Sequence, residues 1–229
     1  MHQEKYWWGD KMKSYIVFGC GKFGSSAAKT LSELGNEVMV VDINLDSIEE
    51  IADYVTTAIQ CDVMDENATS EMGLKNFDAA VVAIGTNFEA AIMSTVLAKE
   101  AGIEYIVAKA TSNRQALILK KLGADKIIFP ERDMGVRVAH NLSASNLMDF
   151  IQLSPDYSIA EFLCPVTWVG KNLKQLNVRS KYKVTVLAIE RGNDDIKIDP
   201  YPDSLLQEGD VLVLLGKDED IKEIEKIKD

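Results

Sequence analysis

The run Gly19-Cys20-Gly21-Lys22-Phe23-Gly24 directly follows the apolar segment Ser14–Phe18, and a second apolar segment, Glu37–Val41, ends in Asp42. Glycines in this spacing, between a strand and a helix, form a cradle for phosphate. The first permits the tight turn, the second lets backbone amides come up against phosphate oxygens, and the third lets the helix lie close to the strand. A helix opening near Lys22 points its unpaired N–H groups and the positive end of its dipole at the bound anion. Asp42 can accept hydrogen bonds from both hydroxyls of an adenosine ribose, whereas a 2′-phosphate there would meet a like charge. The combination points to an adenine nucleotide other than NADP; a fold that keeps the turn glycines only for packing is the alternative.

Such residues need a parallel sheet to position them. From Ser14 to about Ile128, short β-branched runs at 14–19, 37–42, 55–60, 78–84, 104–109 and 126–129 alternate with helical patterns at Lys22–Leu34, Asn44–Asp53, Phe88–Glu100 and Ser112–Leu122. Gly35 and Gly102 fall just after helix ends, and Thr111 or Ser112 can cap a helix start. The strands are almost wholly apolar, as required when helices cover both faces. Right-handed crossovers then predict an α/β fold, a Rossmann-type doubly wound parallel sheet of order 3-2-1-4-5-6, with the ligand over the carboxyl ends of strands 1, 2 and 4. After Pro130, the recurring Met134, Val138, Leu142 and Leu147-Met148 predict one amphipathic helix from Arg132 to Leu153, closed by Ser154-Pro155. Such a helix either packs on the sheet or crosses to a second domain or a second chain. Residues 156–229 read as a small α+β domain. Its strands lie within 159–163, 182–190 and 211–215, its turns at Gly192–Asp195, Pro200–Asp203 and Glu208–Asp210, and its helices near Leu173–Leu176 and at Asp218–Lys228. The predicted layout is an extension over 1–12, the nucleotide-binding domain over 13–133, a linking helix over 134–155 and the C-terminal domain over 156–229.

The bulk numbers narrow the function. With 229 residues, 47% hydrophobic and 27% charged, the chain has the composition of an ordinary globular protein large enough for two modest cores. Its net charge is −11, with 14 basic and 21 acidic residues in 1–152 and 11 and 15 in the remainder. No basic stripe is available to neutralise phosphates, which argues against nucleic-acid binding and against direct contact with anionic lipid. No apolar run approaches the ~20 residues that span a bilayer. The start, Met1–Asp10, has no apolar core after its charges and reads as a variable extension rather than a signal peptide, with Tyr6-Trp7-Trp8 able to dock on a neighbour. Cys20, Cys61 and Cys164 have no metal spacing and read as buried thiols of a reducing compartment.

The whole order of motifs resembles the RCK proteins that regulate potassium transport, specifically the KtrA/TrkA-type cytosolic subunits of bacterial Ktr uptake systems. The resemblance runs from about residue 13 to 225. It is carried by Gly19–Gly24, Val40-Val-Asp42, Val81-Val-Ala-Ile-Gly85, Leu122–Asp125 and Phe129–Gly135, then by Leu176–Tyr182, Leu187–Ile189, Pro200 and Gly209–Val213. It implies a homo-octameric ring built from dimers, cytoplasmic and peripheral on the membrane through a KtrB-like potassium-transporting subunit. ATP and ADP would compete for the Rossmann site, ATP favouring the conducting arrangement. By position, the nucleotide set implied is Gly19, Gly21, Lys22, Phe23, Gly24, Asp42, Ile43, Asp62, Val63, Ile84, Gly85, Lys109 and Glu131. Lys22 replaces an expected arginine, keeping the charge but losing the planar fork. Glu131 matches a glutamate that helps hold a divalent cation, Mg or Ca, at a subunit junction; stabilising a helix start after Pro130 is its alternative role. In the C-terminal half the resemblance implies a cyclic di-AMP pocket at a two-fold interface, formed by Leu173, Arg179, Thr185 and Pro200, with Val184 where a polar side chain can stand. A dimer contact without ligand is the alternative.

Other classes remain in view. An NAD-dependent oxidoreductase shares the first 130 residues of the pattern but needs an acid–base group near the nicotinamide. The two histidines, His2 and His140, lie in the extension and in the linking helix, so catalysis is not expected. An NAD(H)-sensing Trk-type regulator, or a regulator of an efflux system or channel, keeps the same site chemistry, because Asp42 accepts either ribose.

Overall fold

The computed structural model describes residues 12–143, 147–154, 156–192 and 195–227; the extension ahead of Met12 therefore lies outside the described residues. The chain divides into two compact units between Pro130 and Glu131.

The first unit alternates strand and helix: β1 (Ser14–Phe18), α1 (Lys22–Glu33), β2 (Glu37–Asp42), α2 (Leu45–Ile51), β3 (Thr57–Gln60), α3 (Glu66–Ser70), β4 (Ala79–Val82), α4 (Phe88–Glu100), β5 (Tyr105–Lys109), α5 (Asn113–Leu122) and β6 (Lys126–Ile128). The six strands pair in the order β3-β2-β1-β4-β5-β6, all parallel. This is the expected order, and it puts the reversal of strand direction of winding between β1 and β4. Side chains alternate across the sheet, so Ile16 and Phe18 enter one core and Val17 the other, all fully buried. Burial on both sides is why the strands read as unbroken apolar runs.

Helix starts in this unit fall into two kinds. Asn44, Asp65, Asn87 and Ser112 each cap their own helix with a side-chain oxygen. The N-cap of α1 is Gly21, which has no side chain to do so, and the first turn carries no acid. Of α1 to α5, only α1 leaves its opening amides without a side-chain acceptor.

The second unit opens with most of α6 (Pro130–Ser143) and continues with β7 (Leu147–Gln152), β8 (Tyr157–Leu163), α7 (Leu173–Leu176), α8 (Val178–Lys181), β9 (Thr185–Arg191), β10 (Asp195–Ile198), β11 (Val211–Lys217) and α9 (Asp218–Glu225). Its sheet has the order β10-β9-β11-β8-β7, antiparallel throughout. The core lies on the face of Ala160, Phe162, Leu212 and Leu214, closed by Trp168, Ile221 and Ile224.

Two expectations are corrected here. The helix read over Arg132–Leu153, and with it a linking helix over 134–155, is not one element: α6 stops at Ser143 and residues 147–152 form the edge strand β7. The reason is a register shift between Leu147 and Asp149 against β8. The bulge puts Leu147 and Phe150 on the same buried face, three residues apart, which in sequence imitates a helical repeat. The closing Pro155 lies outside the described residues. Second, Asp195 was read as part of a turn but opens β10, a four-residue edge strand with all four residues exposed. A strand without a buried face gives no alternating apolar signal.

The junction of α6 and β7 is polar. The Arg137 guanidinium grips Asp149 with both donors, Nε at 2.7 Å from Oδ1; the Phe150 N–H donates to the same oxygen, and His140 stacks on Phe150 at 4.6 Å. The hydrogen bond from Arg137 holds the Asp149 carboxyl at about 2, below its ordinary 3.8. A depressed carboxylate stabilises the fold above its unfolded pKa, and that contribution is lost as pH falls through the folded value. We therefore expect acid titration of the wild-type chain to show a loss of stability between about pH 4 and 2 that is missing in Asp149→Asn, whose stability at neutral pH starts lower. Parallel acid-unfolding curves for the two proteins would contradict this.

Candidate functional site

At the carboxyl ends of β1, β2 and β4 the backbone makes a tightly stitched loop. The Gly19 N–H donates to the Val41 carbonyl at 2.8 Å, and the Ala83 N–H to the Phe18 carbonyl at 2.7 Å, so the loop is tied to both neighbouring strands. Gly19 has φ +96°, in the left-handed region, and a β-carbon there would come within 3.0 Å of the Ile84 backbone nitrogen. A β-carbon on Gly24 would lie 1.9 Å from the Gly19 carbonyl oxygen. Gly21 differs: its φ is −67°, and a β-carbon would meet nothing within 4 Å among the described residues. Two of the three glycines thus answer to packing, and the middle one faces open space at the start of α1.

Asp42 closes this loop. One carboxylate oxygen accepts the Cys20 N–H at 2.5 Å and the other the Asn44 N–H at 2.8 Å, while its carbonyl accepts the Cys61 N–H at 2.9 Å. The aspartate therefore positions the glycine loop. Neither the Cys20 nor the Asn44 bond was anticipated, since a backbone donor leaves no mark in the sequence. Each carboxylate oxygen has a second lone pair to offer a hydroxyl. Asp42→Asn places an NH₂ group against one of the two backbone donors, so it should weaken adenine-nucleotide binding by about 100-fold and destabilise the first unit by about 1–3 kcal/mol. Titration calorimetry together with thermal melting checks both; an unchanged melting temperature would show that the loop contacts matter little.

Lys22 is the first residue of α1 and exposed. Lys109 ends β5 and is half-buried, and its Nζ lies 3.4 Å from where a Gly85 β-carbon would stand. The structure thus brings the Lys109 amine up to Gly85, beyond the end of β4. Ile84 packs its side chain on Gly19. Asp62 follows β3, exposed, with Oδ1 accepting the Met64 N–H at 2.9 Å. Ile43 is exposed beside Asp42, and its carbonyl accepts a hydrogen bond from the Gln60 carboxamide at 3.2 Å. Two side chains expected near a ligand point elsewhere: Val63 is buried in the core and Phe23 packs against the cluster around Val17.

The three cysteines are buried thiols. Burial, then the Asp42 carboxylate, pushes the Cys20 thiol up. Glu131 sits in the first turn of α6 in the second unit. Among the described residues no group of three or more His, Cys, Asp and Glu converges. A divalent cation takes six or more oxygen ligands, so at a subunit junction Glu131 could supply only part of the shell.

In the second unit, Leu173 opens α7 and packs against the core, Arg179 is exposed on α8, Thr185 is exposed at the start of β9, and Pro200 is half-buried. The Lys174 N–H donates to the Pro202 carbonyl at 2.7 Å and the Asp199 N–H to the Leu187 carbonyl at 2.8 Å, which draws the Leu173, Thr185 and Pro200 segments together. Val184 is 1% exposed and covers Gly216, so it faces the core.

Two domain models match the chain in tandem, the TrkA-N domain over residues 15–130 and the TrkA-C domain over 163–229. The chain belongs to the KtrA/TrkA family. Ktr system potassium uptake protein A of Bacillus subtilis (strain 168) is 41% identical over 94% of this chain and 96% of its own length. Protein C of the same system and organism is 39% identical over 93% and 96%, and the Vibrio alginolyticus protein A is 37% identical over 89% and 92%. These KtrA/TrkA relatives are potassium uptake proteins rather than oxidoreductases. Among solved structures, the crystal structure of the GsuK RCK domain superposes with a TM-score of 0.65 at 15% identity, over 95% of this chain and 48% of that one. This chain thus spans about half its length, and at that identity the likeness is one of fold. No helix among the described residues is long and apolar enough to cross a membrane.

Proposed function

We propose that this protein is a nucleotide-gated regulatory subunit of a Ktr-type potassium transporter, taking ATP or ADP in the first unit and controlling a KtrB-like membrane subunit. The observation that carries the reading is the uncapped start of α1 at Gly21, beside Asp42, whose carboxylate ties down the glycine loop. An uncapped helix start facing open space attracts a phosphate, and Asp42 takes the ribose. Lys22 and Lys109 supply the positive charge that a longer phosphate chain calls for.

The device is a switch because ATP and ADP differ by one charged phosphoryl group. A ring arrangement that neutralises the γ-phosphate better binds ATP more tightly, and that difference alone moves the equilibrium. A homo-octameric ring built from dimers, peripheral on the inner face of the membrane, is the assembly that fits family membership. The exposed stripe Met134, Val138 and Leu142 along α6 is suited to a subunit contact. Cyclic di-AMP at Leu173, Arg179, Thr185 and Pro200 is a second input of the same proposal, with the Arg179 guanidinium gripping a phosphate. NADH is the rival nucleotide, since Asp42 accepts its adenosine ribose equally.

Competition binding of ATP, ADP, NADH and cyclic di-AMP to the purified chain, with mass determination in each state, tests all of this. ATP and ADP should compete for one site and yield assemblies that differ in shape at equal mass. Tight NADH binding with no response to ATP would transfer the role to a redox sensor. Indifference to every adenylate, or a monomer in every state, would end the proposal. Equal cyclic di-AMP affinity in wild type and Arg179→Ala would remove the second input.

A further inference from the structure

A groove of about 680 Å³ opens in the second unit, lined by Trp168, Lys171, Gln175, Lys181, Tyr182 and Ile227, with Leu176 and Asn177 completing its wall. None of Leu173, Arg179, Thr185 or Pro200 lines it. The nucleotide cradle belongs to the other unit, so neither site described above accounts for it. Its volume lies within the range of small-molecule sites.

The lining has a consistent chemistry. Among the described residues it contains two ammonium groups and no carboxylate, in a chain whose net charge is −11. The Lys171 Nζ donates to the Thr167 carbonyl at 2.8 Å, which fixes the amine and leaves two of its three donors. The Lys181 Nζ lies 4.9 Å from the centre of the Tyr182 ring and makes no hydrogen bond among the described residues. Trp168, 3% exposed, forms the floor with Tyr182, their rings 5.3 Å apart and tilted by 46°. Leu176 and Ile227 add apolar surface, and the Asn177 carboxamide is a further uncommitted polar group. Two ammonium groups, one of them fixed, along a wall shared with an aromatic and aliphatic floor match a small anion with an apolar body.

The backbone around this wall turns sharply. Only three non-glycine residues among those described have positive φ, and two of them, Asn177 (48°) and Lys183 (56°), flank α8, which supplies Lys181. Asn177 is the left-handed C-cap of α7, its N–H donating to the Leu173 and Lys174 carbonyls. Here the kink at Asn177 turns α8 back so that Lys181 and Gln175 share one groove.

We propose that this groove is a binding site for a small organic anion, a carboxylate or a phosphate monoester bearing an aromatic or aliphatic group. The headgroup would lie between Lys171 and Lys181 and the apolar body over Trp168 and Tyr182. Occupancy would pin α7 and α8 to the end of α9, giving the second unit an input separate from the nucleotide.

The test uses the full chain with Trp7→Phe and Trp8→Phe, so that Trp168 is the one tryptophan left of three. Its fluorescence is titrated with phenyl phosphate, phenylacetate, benzyl alcohol and inorganic phosphate. Phenyl phosphate or phenylacetate should give a saturable change, and whichever saturates at lower concentration identifies the headgroup class. Benzyl alcohol should not saturate, and inorganic phosphate should bind at least about tenfold more weakly than the aromatic anion. Lys171→Gln with Lys181→Gln should weaken the aromatic anion by at least about tenfold while leaving the melting temperature unchanged, because both side chains are exposed. No saturation by either anion at about 10 mM overturns the proposal, as does equal affinity in the double variant or equal binding of benzyl alcohol.

Discussion

Gly24→Ala should abolish adenine-nucleotide binding and unfold or severely destabilise the first unit, whereas Gly21→Ala should leave the fold intact and weaken only the ligand. The two substitutions add the same methyl group a few residues apart. At Gly24 that methyl would sit 1.9 Å from the Gly19 carbonyl oxygen, a backbone atom that is itself held by the loop's bonds to β2 and β4. Relief requires α1 to move off the sheet, and overpacking of this severity costs about 3 kcal/mol or more. At Gly21 the methyl meets nothing within 4 Å and φ is −67°, so the cost is only that of a poorer N-cap, about 1 kcal/mol or less. It would nevertheless intrude on the face where a phosphate approaches the amides, with an expected loss of about tenfold or more in affinity. Thermal melting combined with ATP and ADP calorimetry separates the outcomes. If both variants melt like wild type, the loop geometry described here is wrong; if Gly21→Ala binds nucleotide normally, the uncapped start of α1 is not the phosphate site.

Asp210→Ala should cost the second unit about 2–3 kcal/mol, a large part of a small domain's stability. Asp210 is fully buried, and its oxygens accept Arg191 Nε at 2.8 Å, Arg191 Nη2 at 2.9 Å and the Gln207 N–H at 2.8 Å. Arg191 reaches on to the Leu205 carbonyl at 3.2 Å, so one carboxylate secures β9, β11 and the turn before it. Burial pushes the Asp210 carboxyl up, but the Arg191 hydrogen bond and the Gln207 N–H outweigh it and hold the group below its ordinary 3.8. Its contribution is therefore complete at neutral pH and is lost on acidification below the ordinary carboxylate range. Alanine leaves the partly exposed Arg191 guanidinium to water and the Gln207 N–H without its acceptor. Arg191→Lys should recover little, because a point charge cannot replace the planar fork that meets both oxygens. A fall in melting temperature of less than about 2 °C for Asp210→Ala would show that the pair is dispensable.

Much of this architecture was legible in one dimension. The order of the parallel sheet followed from apolar runs alternating with helical repeats, because strands covered on both faces have no choice but to be continuously apolar. The glycine turn and Asp42 announced themselves because their requirements are steric and electrostatic and admit few residue types. The C-terminal domain was harder. β7 passed for helix because a bulge put Leu147 and Phe150 on one face, and β10 passed for turn because none of its four residues is buried.

What the chain determined by itself is the set of positions with a single physical solution: Gly19 at positive φ, Gly24 under the carbonyl of Gly19, and the parallel core around Ile16 and Phe18. Their constraints act over a few residues or through a repeat, and a repeat survives in sequence. The folded structure alone decided that Asp42 holds the loop through Cys20, that Lys109 stands at Gly85, that Val63 and Phe23 turn inward, and that Lys171 and Lys181 line one groove with Trp168. These are meetings between distant segments or through backbone donors common to every residue, and strand register and packing settle them after the local pattern has been spent.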